Sequence, residues 1–556
     1  MEVFDFDFYR WEKERANEPF LRQPFGDTWE VWTWGEVGHM ARKLATGLKS
    51  LGLPPGSHIG LVSKNCREWF VADIAMMMAG YVSVPFFPTL TGKQIAEVLE
   101  IGDVKALFVG KLEVWDDMKT GVPEDMPVIR FPHYPGNSEV KRGLDWNEFI
   151  DKHEPLEETA KLNLNDTWTI IFTSGTTGTP KGVMLSYKNL MGTKIPIESS
   201  NPLKFDKGGN NRFFSYLPLN HIAERIVVEQ ASLMYGGTVS FSESLDTFAK
   251  NLSETKPTFF LGVPRIYTKF QQGILAKMPQ EKLNKMLKIP ILNNIVKKKI
   301  RAGLGLNDAR TWVSGAAPLP EALKVWFSKI GVYISNGYGM TENCAVCSLL
   351  DPHVSKPGAV GRPQPGVEVK IDPDTGEIMM RAPFVMEGYY KDPAKTAEVK
   401  DEEGWLRTGD QGRLDEDGDL HITGRVKDTF KTTKGEFIVP GPIEWEFGSN
   451  QDIEQICIVG LGCPQPMALV NLSEGAATKA KNEIVSSLES TRSTVNSSIP
   501  NYQRVSKIIV IDEPWSVENG MLTPTLKVKR NVMNDRFRDA MQDWQNASDS
   551  ILFDKQ

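Results

Sequence analysis

Hydrophobic and polar positions in the first half of the chain follow helical and strand spacing in turn. Apolar residues recur at helical spacing from Trp34 to Leu51, and the pattern stops at Gly52. The next apolar runs predict a strand at His58–Ser63, a helix at Glu68–Ala79 and a strand at Tyr81–Phe87. Because strands and helices alternate, we expect a mostly parallel sheet covered by helices on both faces.

The second half changes character after about residue 360. Short strands separated by turn sequences such as DPDTGE and DEDGD are predicted at Val367–Ile371, Glu377–Arg381, Gly412–Leu414 and Asp419–Thr423. A smaller α+β unit is predicted to begin near Arg425. Its predicted elements are a segment at Ile438–Glu446, strands around Ile456–Val459 and Val505–Ile511, and a last helix from Val532.

The predicted fold class is therefore α/β. We expect a large N-terminal domain of several subdomains, in which helices cover the sheets and one small part is β-barrel-like. A small α+β domain follows at the C-terminal end.

Composition limits the partners that this fold can have. The 556 residues are 40% hydrophobic and 24% charged, which is typical of a globular protein. The net charge of −7 gives no general attraction to nucleic acid or anionic lipid, so an anionic ligand needs a local site. Five cysteines, of which only Cys344 and Cys347 lie close in sequence, make no disulfide framework and indicate a reducing compartment.

The sequence contains no segment typical of a membrane span. Its most apolar stretch, Phe70 to Phe87, contains Asp73 and Pro85 and is better interpreted as a buried helix followed by a strand. The N-terminal MEVFDFDFYRWEKER lacks the basic start and apolar centre of a signal peptide. These patterns predict a cytoplasmic protein, whose contact with a membrane would be peripheral docking.

The most informative stretch is IIFTSGTTGTPKG, from Ile170 to Gly182. An apolar strand leads into small and hydroxyl-bearing residues before Lys181, and a helix-like pattern resumes near Ser186. Glycines let backbone N–H groups approach an anion, hydroxyls add donors, and the lysine supplies positive charge. Pro180 excludes a Walker A loop, and no complete G-x-G-x-x-G fingerprint is present. The stretch predicts a loop that binds the phosphates of a nucleotide.

TSGTTGTPKG resembles the signature loop of the adenylate-forming superfamily, which includes acyl-CoA synthetases, peptide-synthetase adenylation domains and firefly luciferase. The resemblance implies that the loop grips the β- and γ-phosphates of ATP, with Thr173 also a ligand of Mg²⁺. The implied loop residues are Thr173, Ser174, Gly175, Thr176, Thr177, Gly178, Thr179 and Lys181.

Further motifs follow in the order of that family. SGAAPL, which begins at Ser314, resembles the segment that lines adenine, and NGYGMTE resembles the motif that stacks on it. The resemblance implies that Tyr338 stacks on the base, Thr341 contacts the α-phosphate and Glu342 coordinates Mg²⁺. A flat ring and a hard carboxylate suit those roles. The other implied nucleotide contacts are Gly315, Ala316, Ala317 and Gly339.

The ribose and hinge motifs come next. WLRTGD ends at Asp410, which resembles the ribose-binding aspartate, and GRVKD resembles the hinge, with Arg425 on the ribose and Lys427 at the pivot. KTTKGEFIVP, which contains Gly435, resembles the loop that enters the active site for the second half-reaction, although Lys434 stands where the long-chain branch often has Gly. The implied organisation is an N-terminal domain at 1–424, a hinge at 425–427 and a mobile C-terminal domain at 428–556.

The last motif, NGMLTPTLKVKR, resembles the closing motif of acyl-CoA synthetases. Its first lysine, Lys527, aligns with the family's adenylation catalyst. Many adenylating enzymes have Ser-Gly before that lysine, whereas this chain has Thr525 and Leu526, as is typical of the long-chain branch.

The acyl substrate is indicated by SYLPLNHIAER, which resembles the LPLxHxxER motif of the long-chain branch and places His221 at the mouth of an acyl pocket. No aspartate stands beside His221 to pair with an amino-acid ammonium, so an uncharged tail is favoured. The apolar segments 233–237 and 259–265 either line that tail or belong to the core.

The resulting prediction is a long-chain fatty acyl-CoA synthetase that uses a fatty acid, ATP, Mg²⁺ and CoA, and binds no nucleic acid. Its predicted catalytic residues are Lys527, Glu342, His221 and Lys181. The alternatives are a medium-chain or aryl acid CoA ligase, a fatty acyl-AMP ligase that loads a carrier protein, and an inactive homologue that binds a nucleotide or lipid.

Overall fold

The computed structural model describes residues 4, 6–174, 180–317, 319–448, 450–517, 519–523 and 527–554. The strands are β1 Pro19–Phe25, β2 Thr28–Thr33, β3 His58–Val62, β4 Val82–Phe86, β5 Val104–Val109, β6 Val128–Arg130, β7 Leu144–Asp145, β8 Thr167–Ser174, β9 Pro180–Ser186, β10 Arg212–Ser215, β11 Thr238–Phe241, β12 Phe259–Gly262, β13 Thr311–Ser314, β14 Ile334–Tyr338, β15 Ser348–Leu349, β16 Ala359–Pro363, β17 Glu368–Ile371, β18 Glu377–Arg381, β19 Gly388–Tyr389, β20 Leu406–Leu414, β21 Leu420–Arg425, β22 Phe430–Lys431, β23 Phe437–Ile438, β24 Ile453–Val459, β25 Met467–Leu472, β26 Ile508–Ile511 and β27 Ile551–Asp554.

The α-helices are α1 Phe8–Glu14, α2 Trp34–Ser50, α3 Arg67–Ala79, α4 Gly92–Ile101, α5 Trp115–Met118, α6 Trp146–Asp151, α7 Tyr187–Gly192, α8 Lys194–Ser199, α9 Ile222–Glu224, α10 Ala231–Tyr235, α11 Phe248–Thr255, α12 Pro264–Lys277, α13 Gln280–Leu287, α14 Pro290–Gly303, α15 Glu321–Lys329, α16 Pro393–Val399, α17 Pro440–Phe447, α18 Glu474–Ala477, α19 Lys481–Ser498, α20 Arg530–Arg536 and α21 Arg538–Asn546. Short 3₁₀ turns occur at Lys119–Gly121, Thr341–Asn343 and Asn501–Gln503, and Arg225–Gln230 is π-helical.

The first large sheet carries the predicted phosphate loop. Its strands lie in the order β19-β9-β8-β4-β3-β5-β6-β7, and the run from β8 to β7 is parallel. The antiparallel pair β8–β9 places Thr173 opposite Lys181. Helix α3 is buried along its whole length and ends at Gly80, whose φ of +79° suits glycine. The predicted buried helix followed by a strand is thus confirmed.

The second large sheet carries the predicted nucleotide motifs. Its order is β12-β13-β14-β15-β16-β21-β20-β18-β17. The first three strands are parallel, and the rest pair antiparallel. The short strands predicted after residue 360 therefore continue a sheet that begins with parallel strands. A further sheet, β10-β11-β1-β2, packs beside these two through the core that α2 and α3 share.

The C-terminal unit is a separate α+β layer. Its sheet runs β24-β25-β26-β27, with α17 and α19 over one apolar cluster and α20 and α21 over another. The last predicted helix is in fact two, α20 and α21, which meet at Phe537. Strand β27 was not predicted, because four residues at a sheet edge give too short a pattern.

Two sequence expectations have a direct structural counterpart. Within the described parts of the chain, no helix combines the length and the apolar character that a membrane span requires. The five cysteines are buried free thiols.

Candidate active site

The carboxylate of Asp410 is held between two side chains from neighbouring strands. The Tyr338 hydroxyl, at the end of β14, donates to Oδ2 at 2.7 Å. The Nε of Arg425, opposite Asp410 in the β20–β21 pair, donates to Oδ1 at 3.0 Å. Asp410 raises the pKa of Arg425 as its main influence, and burial raises the pKa of Tyr338 well above its usual value. Tyr338, Asp410 and Arg425, which the sequence predicted to bind the adenosine part of a nucleotide, are therefore joined by hydrogen bonds.

Glu342 and Lys181 lie on either side of Tyr389. The Tyr389 hydroxyl donates to Glu342 Oε1 at 2.9 Å, and the Lys181 ammonium lies 5.1 Å from the centre of the Tyr389 ring. Burial raises the pKa of the Glu342 carboxyl, against the lowering effect of Lys181. The strand pairs β8–β9 and β9–β19 bring these residues together, because they place Lys181 one strand away from Tyr389.

Positive charge is concentrated around Lys181. Burial lowers the pKa of its ammonium, and Lys395 and Lys427 lower it further, while Glu342 opposes them. Lys395 forms an ion pair with Glu398, whereas Lys427 is exposed. Cations held at this density repel one another, so the site favours a polyanion such as a phosphate chain.

The segment predicted to line adenine lies beside Tyr338. Strands β13 and β14 are parallel neighbours with Ser314 opposite Asn336. Residues 315–317 follow β13, and Gly339 directly follows β14, which ends at Tyr338. Ala316 has a φ of +64°, and a Cβ at Gly339 would lie 2.2 Å from the backbone of Ala345. Both positions therefore have constrained backbones. Thr341 opens the 3₁₀ turn that carries Glu342.

Lys527 reaches this site from the C-terminal unit. Its backbone N–H donates to the Thr523 hydroxyl at 3.1 Å. The surrounding protein displaces enough water to lower the pKa of its ammonium, although the side chain keeps contact with solvent. Arg425 lowers that pKa as well, while Asp410 and Glu342 raise it. Lys527 is therefore within electrostatic reach of both ends of the predicted nucleotide site.

His221, which belongs to the N-terminal part of the chain, lies within electrostatic range of Lys527. It caps α9, where its Nδ1 accepts from the Ala223 N–H at 3.3 Å, so its proton is on Nε2. Burial and then repulsion by Lys527 lower the pKa of the imidazole to about 4. The ring is therefore neutral near pH 7.

The loop that carries His221 is fixed by side chains that sequence reasoning missed. The Asn65 amide donates to Leu217 O at 2.7 Å and accepts from the Leu219 N–H at 3.2 Å. The Tyr216 N–H donates to the Glu224 carboxyl at 3.0 Å. Tyr389, which binds Glu342, was missed in the same way. The sequence carries no signal for the roles of Asn65 and Tyr389, since each depends on a partner distant in the chain. Glu224, by contrast, lies within the SYLPLNHIAER motif itself.

Some predicted site residues lie elsewhere or cannot be placed. Gly175, Thr176, Thr177, Gly178, Thr179 and the side chain of Ser174 lie outside the described residues. Gly435 lies in the exposed turn between β22 and β23. That turn is tied to the C-terminal unit by the Thr433 N–H donating to Cys463 O at 3.0 Å. Among the described residues, no contact joins Gly435 to Asp410 or Glu342.

Comparison with known families gives the arrangement a context. Residues 8–390 match the AMP-binding enzyme family, and residues 427–548 match the AMP-binding enzyme C-terminal domain. The chain belongs to the AMP-binding enzyme family. The resemblance predicted from TSGTTGTPKG is confirmed.

Curated relatives of this AMP-binding enzyme cover nearly its whole length. Long chain acyl-CoA synthetase 6, peroxisomal, of Arabidopsis thaliana is 31% identical, over 97% of this chain and 84% of that protein. Long-chain-fatty-acid–CoA ligase FadD15 of Mycobacterium bovis is 28% identical, over 95% of this chain and 94% of that protein. These relatives are long-chain acyl-CoA synthetases, which is the branch that the sequence motifs predicted.

Solved structures share the fold of this AMP-binding enzyme. The anthranilate CoA ligase AuaEII, in complex with anthranoyl-AMP, superposes with a TM-score of 0.78 at 21% identity, over 98% of this chain and 99% of that one. The o-succinylbenzoate CoA synthetase MenE of Bacillus subtilis gives 0.74 at 21% identity, over 96% and 99%. The predicted large α/β domain followed by a smaller C-terminal domain is confirmed.

Proposed function

We propose that this chain is an AMP-forming long-chain fatty acid–CoA ligase. It converts a fatty acid, ATP and CoA into acyl-CoA, AMP and pyrophosphate through an acyl-adenylate. The observation that carries the proposal is a set of contacts: Asp410 is held by Tyr338 and Arg425, and Tyr389 contacts both Glu342 and Lys181. Lys527 of the C-terminal unit lies within electrostatic range of Asp410 and Glu342. The curated long-chain relatives support the same assignment.

The adenosine end of ATP binds at the Asp410 carboxylate. Asp410 accepts from two ribose hydroxyls, and its hydrogen bonds from Tyr338 and Arg425 fix its orientation before the nucleotide arrives. The base lies between the Tyr338 ring and the backbone of residues 315–317. A carboxylate that is already oriented loses little further freedom when it binds.

The phosphates bind at Lys181 and the adjoining loop. The Lys181 ammonium offsets the charge of the β- and γ-phosphates, and Thr341 contacts the α-phosphate. Glu342 and Thr173 offer hard oxygen donors that suit Mg²⁺. Burial raises the pKa of the Glu342 carboxyl, and a cation bound beside it would lower that pKa. Mg²⁺ bound there would spread the charge of the phosphate oxygens.

Lys527 stabilises the adenylation step. An oxygen of the fatty acid carboxylate attacks the α-phosphorus, which forms an acyl–phosphate bond and breaks the bond to pyrophosphate. Negative charge grows on the phosphates as that bond breaks, and a positioned ammonium stabilises it. The acid is already ionised, so this step needs no general base.

The acyl end lies next to His221. Because burial keeps its imidazole neutral, His221 can donate a hydrogen bond from Nε2 to the acid without adding charge to an apolar pocket. No acidic side chain adjoins it in the sequence, which favours a fatty acid over an amino acid.

The second half-reaction needs a different arrangement of the N-terminal and C-terminal domains. We place the hinge at residues 425–427, between a domain at 1–424 and a mobile domain at 428–556. Rotation about Lys427 withdraws Lys527 and brings the loop around Gly435 towards the site. The CoA thiol, on losing its proton, then attacks the acyl carbon and displaces AMP.

Pyrophosphate release tests the function directly. The full chain is incubated with ATP, Mg²⁺ and one acid at a time, from medium-chain to long-chain and aryl acids, with and without CoA. We expect sustained release only with long-chain acids and CoA, together with acyl-CoA and AMP as products. Lys527→Ala is the matched control for contaminating activity.

Three other results would contradict this assignment. Sustained turnover only with aryl or medium-chain acids would replace the substrate class. Acyl-adenylate that forms but never passes to CoA would indicate an acyl-AMP ligase that serves a carrier protein. ATP binding without pyrophosphate release from any acid would indicate an inactive homologue.

A further inference from the structure

Three isoleucines project from one helical hairpin into solvent. Ile289, Ile291 and Ile295 are 48%, 78% and 55% exposed, and they lie within seven residues of one another in the sequence. They belong to the basic hairpin, which we define as residues 280–303, α13 and α14 with their connection. Isolated exposed apolar residues are common, but a cluster of large ones on a single element marks an interaction surface.

The basic hairpin is anchored, so this exposure is a property of its outer face. Leu283 and Val296 are buried beneath it, at 1% and 5% exposure. The Trp326 indole donates to Gln280 at 2.7 Å, and the Asn293 amide donates to Leu287 O at 2.8 Å across the connection. The hairpin thus packs one apolar face into the core, and the three isoleucines lie on its opposite, solvent-facing side.

The charge around these isoleucines is strongly positive. The basic hairpin contains seven Lys or Arg residues and one acidic residue, Glu281, in a chain whose net charge is −7. Among the described residues, none of its six lysines forms an ion pair. Lys298 and Lys299 follow Ile295 by three and four residues, so they share its face of α14. Apolar side chains ringed by unpaired lysines match the chemistry of an anionic lipid surface.

The apolar cluster beneath the basic hairpin extends to the segment that precedes His221. Rings of Tyr216 and Phe260 lie 6.0 Å apart, and those of Phe260 and Phe270 lie 5.8 Å apart. Phe270 belongs to α12, which packs in the same cluster as Met286 and Leu287 of the hairpin. Tyr216 stands five residues before His221. Packed apolar side chains therefore connect the basic hairpin with the segment that carries His221.

We propose that the basic hairpin docks this enzyme on the surface of an anionic lipid bilayer, with Ile289, Ile291 and Ile295 inserted between headgroups and the lysines on lipid phosphates. The inference rests on the proposed function to the extent that the bilayer also supplies the fatty acid. The rest of the chain is acidic, so the docked orientation turns that surface away from the membrane.

Vesicle co-sedimentation of the full chain tests the docking. Vesicles of phosphatidylcholine alone are compared with vesicles that also contain phosphatidylglycerol. We expect binding to the anionic vesicles, weakened by salt. Lys298→Gln/Lys299→Gln should weaken it by roughly fivefold per lysine, and Ile291→Ser/Ile295→Ser by about tenfold or more. Both pairs are on the outer face, so the fold and its melting temperature should be retained.

Matched controls come from exposed residues elsewhere. Lys49→Gln/Lys161→Gln removes two exposed lysines outside the basic hairpin, and Leu461→Ser removes a leucine that is 57% exposed on the C-terminal unit. These variants should bind vesicles as the unaltered chain does. Equal loss in the control and hairpin variants would overturn the proposal, because it would show a general charge effect.

Several other outcomes would also overturn the docking proposal. An unaltered chain that ignores anionic vesicles refutes docking, as does one whose hairpin variants bind normally. If Ile291→Ser/Ile295→Ser changes only the oligomeric state in ultracentrifugation, the outer face of the basic hairpin is an interface between two copies of the chain. If Lys298→Gln/Lys299→Gln changes only RNA binding, that face is a nucleic-acid-binding surface. Acyl-CoA synthesis from albumin-bound fatty acid is measured in parallel, without vesicles. Loss of that synthesis would contradict the proposed function, whereas loss of vesicle binding alone would contradict only the docking.

Discussion

Arg530 and Glu444 are joined by two hydrogen bonds, from Nη1 to Oε1 at 2.7 Å and from Nη2 to Oε2 at 3.0 Å. Arg530 also donates to Ile458 O at 2.6 Å and lies 3.5 Å from Asp428. The arginine follows Lys527 by three residues, and Asp428 follows the predicted pivot directly. The pair therefore ties the segment that carries Lys527 to the start of the C-terminal unit.

Loss of this pair should loosen the C-terminal unit. Arg530→Ala removes the cationic partner of the largely buried Glu444, which keeps its hydrogen bond from the Ile458 N–H. Removal of one member of a buried pair costs about 3–5 kcal/mol. Urea unfolding should show that loss, whereas Arg536→Ala, which breaks the more exposed pair with Glu513, should cost at most about 1 kcal/mol. Equal losses in the two variants would contradict a structural role for Arg530.

Tyr338→Phe should weaken ATP binding. The variant keeps the ring but removes the donor to Asp410, and a hydrogen bond to a charged group contributes about 1.5–3 kcal/mol. We expect the KM for ATP to rise about tenfold or more in steady-state kinetics. Tyr267→Phe, which removes a buried hydroxyl bound to Val313 O, should leave that KM unchanged. An unchanged KM in Tyr338→Phe would remove Asp410 from the nucleotide site.

Lys527→Ala should separate the two half-reactions. Loss of one charge aimed at the transition state costs about 3–4 kcal/mol, so adenylation should fall by two to three orders of magnitude. Thioester formation from a preformed acyl-adenylate should persist, because the proposed rotation about Lys427 withdraws Lys527 before that step. Single-turnover assays of each step measure this, with Lys529→Ala of the same motif as the control. Equal loss of both steps would reject the assignment.

The imidazole of His221 should make stability depend on pH. Its pKa is about 4 in the folded protein and about 6.5 in the unfolded chain, so the unfolded chain takes up its proton first as the pH falls. Stability is complete above about pH 6.5 and decreases towards pH 4, by on the order of 3 kcal/mol.

Urea unfolding at a series of pH values, compared with His221→Gln, isolates this effect. The glutamine keeps an acceptor for the Ala223 N–H but cannot take up a proton. The unaltered protein should lose more stability than the variant between pH 6.5 and 4. Parallel curves would mean that the imidazole stays hydrated in the folded protein.

Local patterns predicted much of the architecture. Helix α2 begins at Trp34 because Thr33 and Glu36 form a capping box, and α3 ends at a glycine, so both boundaries are set by neighbours in sequence. The short β22, β23 and β27 were not predicted, since strands of two to four residues carry too little periodicity. The pairing of strands that are distant in sequence was not predicted either, because local patterns do not specify which strands become neighbours.

By itself the sequence determined the order of the motifs, the α/β class and the chemical character of Lys181, Glu342, Asp410 and Lys527, because residue type and local spacing are enough for these. The tertiary structure decided that Tyr389 binds Glu342, that Asn65 holds the His221 loop, and that Arg530 secures the Lys527 segment. It also decided which face of α14 remains in water. Each such contact joins residues far apart in the chain, and their distance is set only when sheets and helices pack into one core.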